Sequence, residues 1–158
     1  MAEKYYRESR NCELSTLKFI EDNLAIDWTG VNLVKTWTQL EKATNPVVCV
    51  MLNDTDYERN EIGDTAFRHT YIFTIDIFAT SDAMRLDMSD YLLEILNPGW
   101  TYYEISQPSG NNRTLTYTEA GRIRIDRILD NTKVELGAMG DVKDKYRQNI
   151  LIAVTVGC

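Results

Sequence analysis

The chain has 158 residues, of which 44% are apolar and 26% charged, and a formal net charge of −7; a chain of this size forms one domain and buries roughly 70% of its unfolded surface without a disulfide or structural metal. The acidic balance excludes a surface that coats nucleic acid, because phosphate binding needs clustered Lys and Arg to displace counterions. The polar start MAEKYYRESR, and apolar runs no longer than Val47 to Leu52 and Ile150 to Val154, predict neither a signal peptide nor a membrane span, and synthesis in the cytosol.

Leu14, Leu17, Ile20 and Leu24 recur at helical spacing, with Glu13, Lys18, Glu21 and Asp22 on the other side. This predicts a first helix over Glu13 to Leu24 lying on a sheet and ending before Trp28-Thr29-Gly30. Val31 to Trp37, with mixed alternation, and Pro46 to Glu58 read as strands, and Glu61-Ile62-Gly63-Asp64 as a turn. From Phe67 to Ala79 the odd positions Phe67, His69, Tyr71, Phe73, Ile75, Ile77 and Ala79 form an apolar row. The even row of Arg68, Thr70, Thr74 and Asp76 is polar but broken by Ile72 and Phe78, so this strand has one buried face and part of a second.

Ser81 is a natural N-cap for the helix that follows, Asp82 suits its positive first turn, and Met84, Met88, Tyr91, Leu92 and Ile95 share one face until Asn97-Pro98-Gly99 stops it. Trp100 to Ser106 and Thr114 to Leu129 flank the turn formers Gln107 to Arg113 and predict a long hairpin, with Gly121 marking a bulge. Asp130 to Lys145 lacks periodicity and reads as a charged loop, and Tyr146 to Val156 as the final strand. The expected fold is α+β: a single domain, 1–158, with a mixed, largely antiparallel sheet packed against two main helices and carrying a long hairpin and loops.

Catalytic material is sparse. Cys12, Cys49 and Cys158 have no metal or disulfide spacing, and Cys49 sits in an apolar run as a small hydrophobe. His69, the single histidine, falls in the apolar row of a strand and reads as partly buried and hydrogen-bonded. Asp54, Asp56, Glu58 and Asn60 alternate as in a calcium loop, but Arg59 stands where the loop needs glycine, so a solvated strand face explains them. Gly137-Ala138-Met139-Gly140 lacks the lysine and hydroxyl of a phosphate loop. No catalytic residue, metal ligand or cofactor is assigned, and the chain reads as a non-enzyme.

Interaction chemistry is better supplied. With Ile123 and Ile125 facing the core, Arg122 and Arg124 share one exposed strand face and can present two guanidinium groups to a carboxylate or phosphate, with Arg127 nearby; surface solubility is the plain alternative. Nine tyrosines and three tryptophans, among them Tyr5, Tyr6, Tyr57, Tyr102, Tyr103 and Tyr117, supply rings that tolerate both water and an interface. The hairpin tip with Asn111, Asn112 and Arg113 is a further candidate assembly contact.

The order of elements, and in particular the strand YIFTIDIFA followed by a polar turn and the helix segment MSDYLLEIL, resembles the neck and tail-completion proteins of tailed bacteriophages, of the tail terminator type. That resemblance implies a structural virion protein at the head–tail junction: a homo-oligomeric ring, hexameric by analogy, that caps the tail tube protein and meets the head-closure and connector proteins. An adaptor or head-closure protein one layer nearer the portal is the alternative within that class, and a small ligand-binding domain or enzyme the alternative outside it. In such a ring Asp54, Asp56, Glu58 and Glu61 are the expected lining of an acidic channel through which DNA passes without being held.

Overall fold

The alternation around Phe73 sets the middle of the fold. In a computed structural model that describes residues 4–59, 61–63, 67–108, 114–134 and 145–157, the elements in chain order are β1 (Lys4–Tyr5), α1 (Glu8–Asp27), β2 (Asn32–Val34), α2 (Trp37–Lys42), β3 (Val47–Glu58), β4 (Arg68–Phe78), α3 (Asp82–Leu96), β5 (Trp100–Gln107), β6 (Thr116–Val134) and β7 (Arg147–Gly157). The strands form one sheet in the order β1-β5-β6-β7-β4-β3-β2. Every pairing is antiparallel except β2 with β3. The α+β class and the mixed, largely antiparallel sheet are therefore as expected.

β4 lies between β3 and β7 and buries Tyr71, Phe73, Ile75 and Ile77 on its helical side. They join Val48 and Val50 of β3 and Ile150, Ile152 and Val154 of β7 beneath Ile20 and Leu24 of α1 and Met88, Leu92 and Leu96 of α3. Each fully buried large side chain contributes on the order of 2 kcal/mol of transfer free energy, so this layer is the main source of stability. Ser81 caps α3 as its residue type predicts, its hydroxyl accepting from the Met84 amide at 3.2 Å. Where α3 ends, Gly99 has φ +84, and a Cβ there would lie 2.7 Å from the Ile123 carbonyl oxygen. Only glycine allows the chain to turn this tightly against β6.

α1 differs from its expected form. It starts at Glu8, five residues before Glu13, and its buried face is led by Asn11, Cys12, Ser15 and Thr16, with Ile20 and Leu24 behind them. Leu14 and Leu17 are only half-buried. The polar residues are there because α1 lies along β5 and satisfies it. Asn11 Oδ1 accepts from the Ile105 amide at 3.3 Å, Ser15 Oγ accepts from the Tyr103 amide at 2.9 Å, and Thr16 Oγ1 accepts from Trp100 Nε1 at 3.1 Å. A strand edge that would otherwise expose unpaired amides is thus closed by helix side chains.

The segment read as a strand over Val31 to Trp37 yields only the three residues of β2, and Thr36 then starts α2. Thr36 Oγ1 accepts from the Gln39 amide, and Gln39 Oε1 accepts from the Lys35 amide. This reciprocal cap halts the strand. α2 covers one end of the second sheet face, where Leu40 packs with Val47, Cys49 and Phe78. Asp76, placed by alternation in the polar row, is only 1% exposed. Its carboxylate accepts from Arg147 Nε at 3.2 Å and Nη2 at 3.1 Å, and from Asn149 Nδ2 at 2.9 Å. On the other face Arg85 is buried but donates to Asp82 and to Gln148. Both interior charges are therefore paired.

β6 overruns its expected end at Leu129 and reaches Val134; the loop expected over Asp130 to Lys145 is correspondingly shorter, and 135–144 fall outside the described residues. Register shifts in β6 leave Ala120, Asp126 and Leu129 as extra residues. The first sits beside Gly121, where a bulge was expected.

Candidate functional site

Among the described residues, the two long strands β3 and β6 each leave part of one edge without a partner strand. β2 pairs with β3 only at Val47–Cys49, so 50–58 of β3 have no outer strand among the described residues. β5 pairs with β6 only up to Ile123, so 124–134 of β6 have none either. These edges stand at opposite sides of the four-strand unit β6-β7-β4-β3. Because β5 is closed by α1, they are where the sheet can continue.

The register then places the candidate charged residues. Asp54 is opposite Ile72, Ile72 opposite Ala153, and Ala153 opposite Arg127, so Asp54 and Arg127 stand on one face of the sheet in one transverse row. Asp56 and Glu58 follow Asp54 on that face, opposite Thr70 and Arg68. Arg124 and Arg122 follow Arg127, opposite Thr155 and Gly157. A carboxylate edge and a guanidinium edge thus share one open face. All six side chains are exposed. Three strand spacings separate the edges, about 14 Å. That exceeds both an ion-pair distance and the roughly 8 Å Debye length at physiological salt, so within one subunit neither edge neutralises the other.

The expected sites are resolved unevenly by this arrangement. Arg124 and Arg127 have no ion-pair or hydrogen-bonding partner among the described residues, whereas Arg122 Nη2 donates to the carbonyls of Pro98 at 3.2 Å and Gly99 at 3.0 Å. Arg122 is thus partly committed to fastening the α3–β5 turn, and Arg124 with Arg127 is the freer pair. Asn111, Asn112 and Arg113 lie outside the described residues. Asp54, Asp56 and Glu58 are brought together on β3, but Glu61 stands apart in a turn after the strand. The face that carries the three acids also carries Arg68, Arg124 and Arg127, so it offers both signs of charge. Among the described residues, no group of three or more His, Cys, Asp or Glu side chains is placed to hold a metal ion.

On the opposite face, past the start of α1, the ends of β3 and β4 carry an aromatic row. Tyr57 packs edge-on against Phe67 and His69, and His69 against Tyr71. Tyr71 donates to Glu8 Oε1 at 2.6 Å, and His69 Nδ1 is 3.2 Å from the same phenol and 3.3 Å from Glu8. Burial, reinforced by Glu8, pushes the Tyr71 phenol far above its ordinary value. His69 is half-buried and hydrogen-bonded as expected. Tyr57 is 62% exposed and Phe67 48% exposed, beside the open edge of β3. Of the other aromatic candidates Tyr5 is exposed, Tyr117 stacks edge-on with Tyr103, and Tyr102 is buried against Asn11.

A cleft of about 400 Å³ separates α1 from β2 and is lined by Leu14, Leu17, Lys18, Leu33, Lys35 and Tyr117, among others. Lys35 is engaged by Glu13 and Lys18 by Asp22, each at 3.0 Å. Its charged walls are therefore mutually satisfied and do not converge on a common point. Cys12 and Cys49 are buried, and burial raises both thiols, Cys49 to about 11. Neither has the thiolate character of a nucleophile.

The two open edges and the register that charges them oppositely had no signal in residue spacing, because both depend on which strands meet. No protein-family profile matches this chain, and no curated protein sequence matches it.

Proposed function

We propose that this chain is a structural subunit of the neck of a tailed bacteriophage, assembling into a ring that caps the tail tube and presents its other side to the head connector. The observation that carries the reading is the pair of uncovered strand edges at opposite sides of one sheet. A subunit with two different edges makes heterologous contacts, and heterologous contacts close into a ring when the rotation between subunits divides a full turn. The order of elements supports the terminator type, as its resemblance to that family implies. On this reading the protein works by geometry. Its ring ends the growth of the tube, leaves a passage for DNA along the axis, and makes no chemical change in anything that it touches.

The test is electron microscopy of particles assembled with and without the protein. Overlong tail tubes in its absence are the expected result. Tails of normal length beside heads that have lost their DNA would move the protein one layer up, to head closure. Unaltered particles would remove it from the neck altogether.

A further inference from the structure

We infer that the subunit-to-subunit contact is made by the acidic edge of β3 in one copy docking along the arginine edge of β6 in the next, with Asp54 meeting Arg127 and Asp56 meeting Arg124. The inference deepens the ring reading above and rests on it for the number of copies, but not for the contact. Its occupant is a second copy of this chain.

Three observations carry it. First, these two edges are open among the described residues, whereas α1 closes β5 through Asn11 and Ser15. Open strand edges are templates for another strand, and main-chain hydrogen bonds would bring the copies to the usual spacing of about 4.8 Å. Second, the edges carry opposite charge on the same sheet face. Continuing the sheet from β3 into a neighbour's β6 places the acids of one copy in line with the arginines of the next, and reduces the separation from about 14 Å within a subunit to about one strand spacing across the seam. Third, the like-with-like alternatives are disfavoured: two β3 edges would oppose carboxylates, and two β6 edges paired about Arg124 and Arg127 would oppose guanidinium groups. Complementarity thus selects the head-to-tail arrangement, the one that can close into a ring.

A register shift between Leu52 and Asp54 leaves Asn53 as an extra residue of β3, and this bulge, with those at Asp126 and Leu129 of β6, serves the same end. A bulged edge twists and resists pairing with an arbitrary strand, so charge matching is what admits the correct partner. Asp126 occupies a bulge in β6 and therefore lies out of step with the arginines on either side. On this account Asp54 and Asp56 are seam residues and do not line the axial passage.

The experiment is a charge exchange on the full chain. Variant one carries Asp54→Arg and Asp56→Arg; variant two carries Arg124→Glu and Arg127→Glu. Association is read by analytical ultracentrifugation over a range of concentration and salt, with thermal melts to confirm folding. Each variant alone should remain monomeric, with its self-association weakened by about 100-fold or more. An equimolar mixture should assemble again, because each then offers the edge that the other needs. If a reversal impairs folding, the neutral pairs Asp54→Asn with Asp56→Asn and Arg124→Gln with Arg127→Gln give the same reading with a smaller loss. Wild-type association that persists unchanged in either reversed variant would overturn the inference, as would a folded mixture that stays monomeric or a wild-type chain that never associates. The two readings fail separately. Charge exchange that behaves as expected in particles whose tails do not need the protein would leave this contact standing and remove the neck function. Rings that cap tails but ignore the exchange would do the reverse.

Discussion

Truncating Phe73 to alanine probes the layer on which the whole sheet depends. Phe73 is 0% exposed and sits in the middle of β4, opposite Leu52 on one side and Ile152 on the other. Removing a buried phenyl group costs roughly 3–5 kcal/mol, and the higher part of that range applies where the surroundings cannot collapse into the space. Here β4 is held by hydrogen-bonded ladders on both sides, so its backbone cannot move toward the helices. A loss of about 4 kcal/mol lowers the melting temperature of a domain of this size by roughly 8–16 °C. Calorimetry of wild type, Phe73→Ala and Phe73→Leu reads the effect, with Phe73→Leu costing much less because it fills most of the volume. Asp56→Ala, on an exposed site, should change stability by no more than about 0.5 kcal/mol. A melting temperature for Phe73→Ala within about 2 °C of wild type would refute the assignment of this face to the core.

The polar interior and the buried thiols give four further expected outcomes. Asn11→Leu keeps the volume of the α1–β5 contact but leaves the Ile105 amide without its acceptor, and should cost about 1–3 kcal/mol in chemical denaturation. Asp76→Ala should cost about 3–5 kcal/mol because it removes the buried carboxylate that accepts from both Arg147 and Asn149, whereas the double variant Asp76→Leu with Arg147→Met should recover part of that loss. The Cys49 thiol, raised by burial from 9.0 to about 11, stabilises the folded state fully below the unfolded value and loses that contribution as pH rises through the folded one. The denaturation midpoint of wild type should therefore fall more than that of Cys49→Ala between pH 8 and pH 11, and mass spectrometry should find Cys12 and Cys49 unlabelled by a thiol reagent in the native protein at neutral pH.

What the sequence made legible was the part of the fold that obeys a simple period. β4 and α3 show it in Phe73, Ile75 and Ile77, in the Ser81 cap, and in Met88 and Leu92. α1 was shortened because the first half of its buried face is Asn11, Ser15 and Thr16, which are inside to satisfy a strand edge and carry no apolar signal. α2 is hidden because Val31, Leu33 and Val34 carry a strand signal up to Thr36 and Gln39, whose capping-pair spacing is the one mark of the helix. The end of β6, Asp130 to Val134, carries no strand signal for a geometric reason. Its bulges at Asp126 and Leu129 each change which face the next residue occupies, so alternation disappears while pairing continues. The candidate site was legible as two separate groups, the acids of β3 and the arginines of β6. That they stand on one face, at two open edges, depends on β4 and β7 lying between them, and pairing over such sequence distances leaves no mark in residue spacing.

On the proposed function, this chain ends the growth of a tail tube by forming a ring on it. Its most direct test is to add the purified protein to tail tube subunits of the same phage while they polymerise, and to measure tube lengths by electron microscopy. The account predicts that elongation stops, with a ring of density at one end of each tube and shorter tubes as more protein is added. Tubes that elongate to the same length with and without the protein, and carry no added ring, would contradict it.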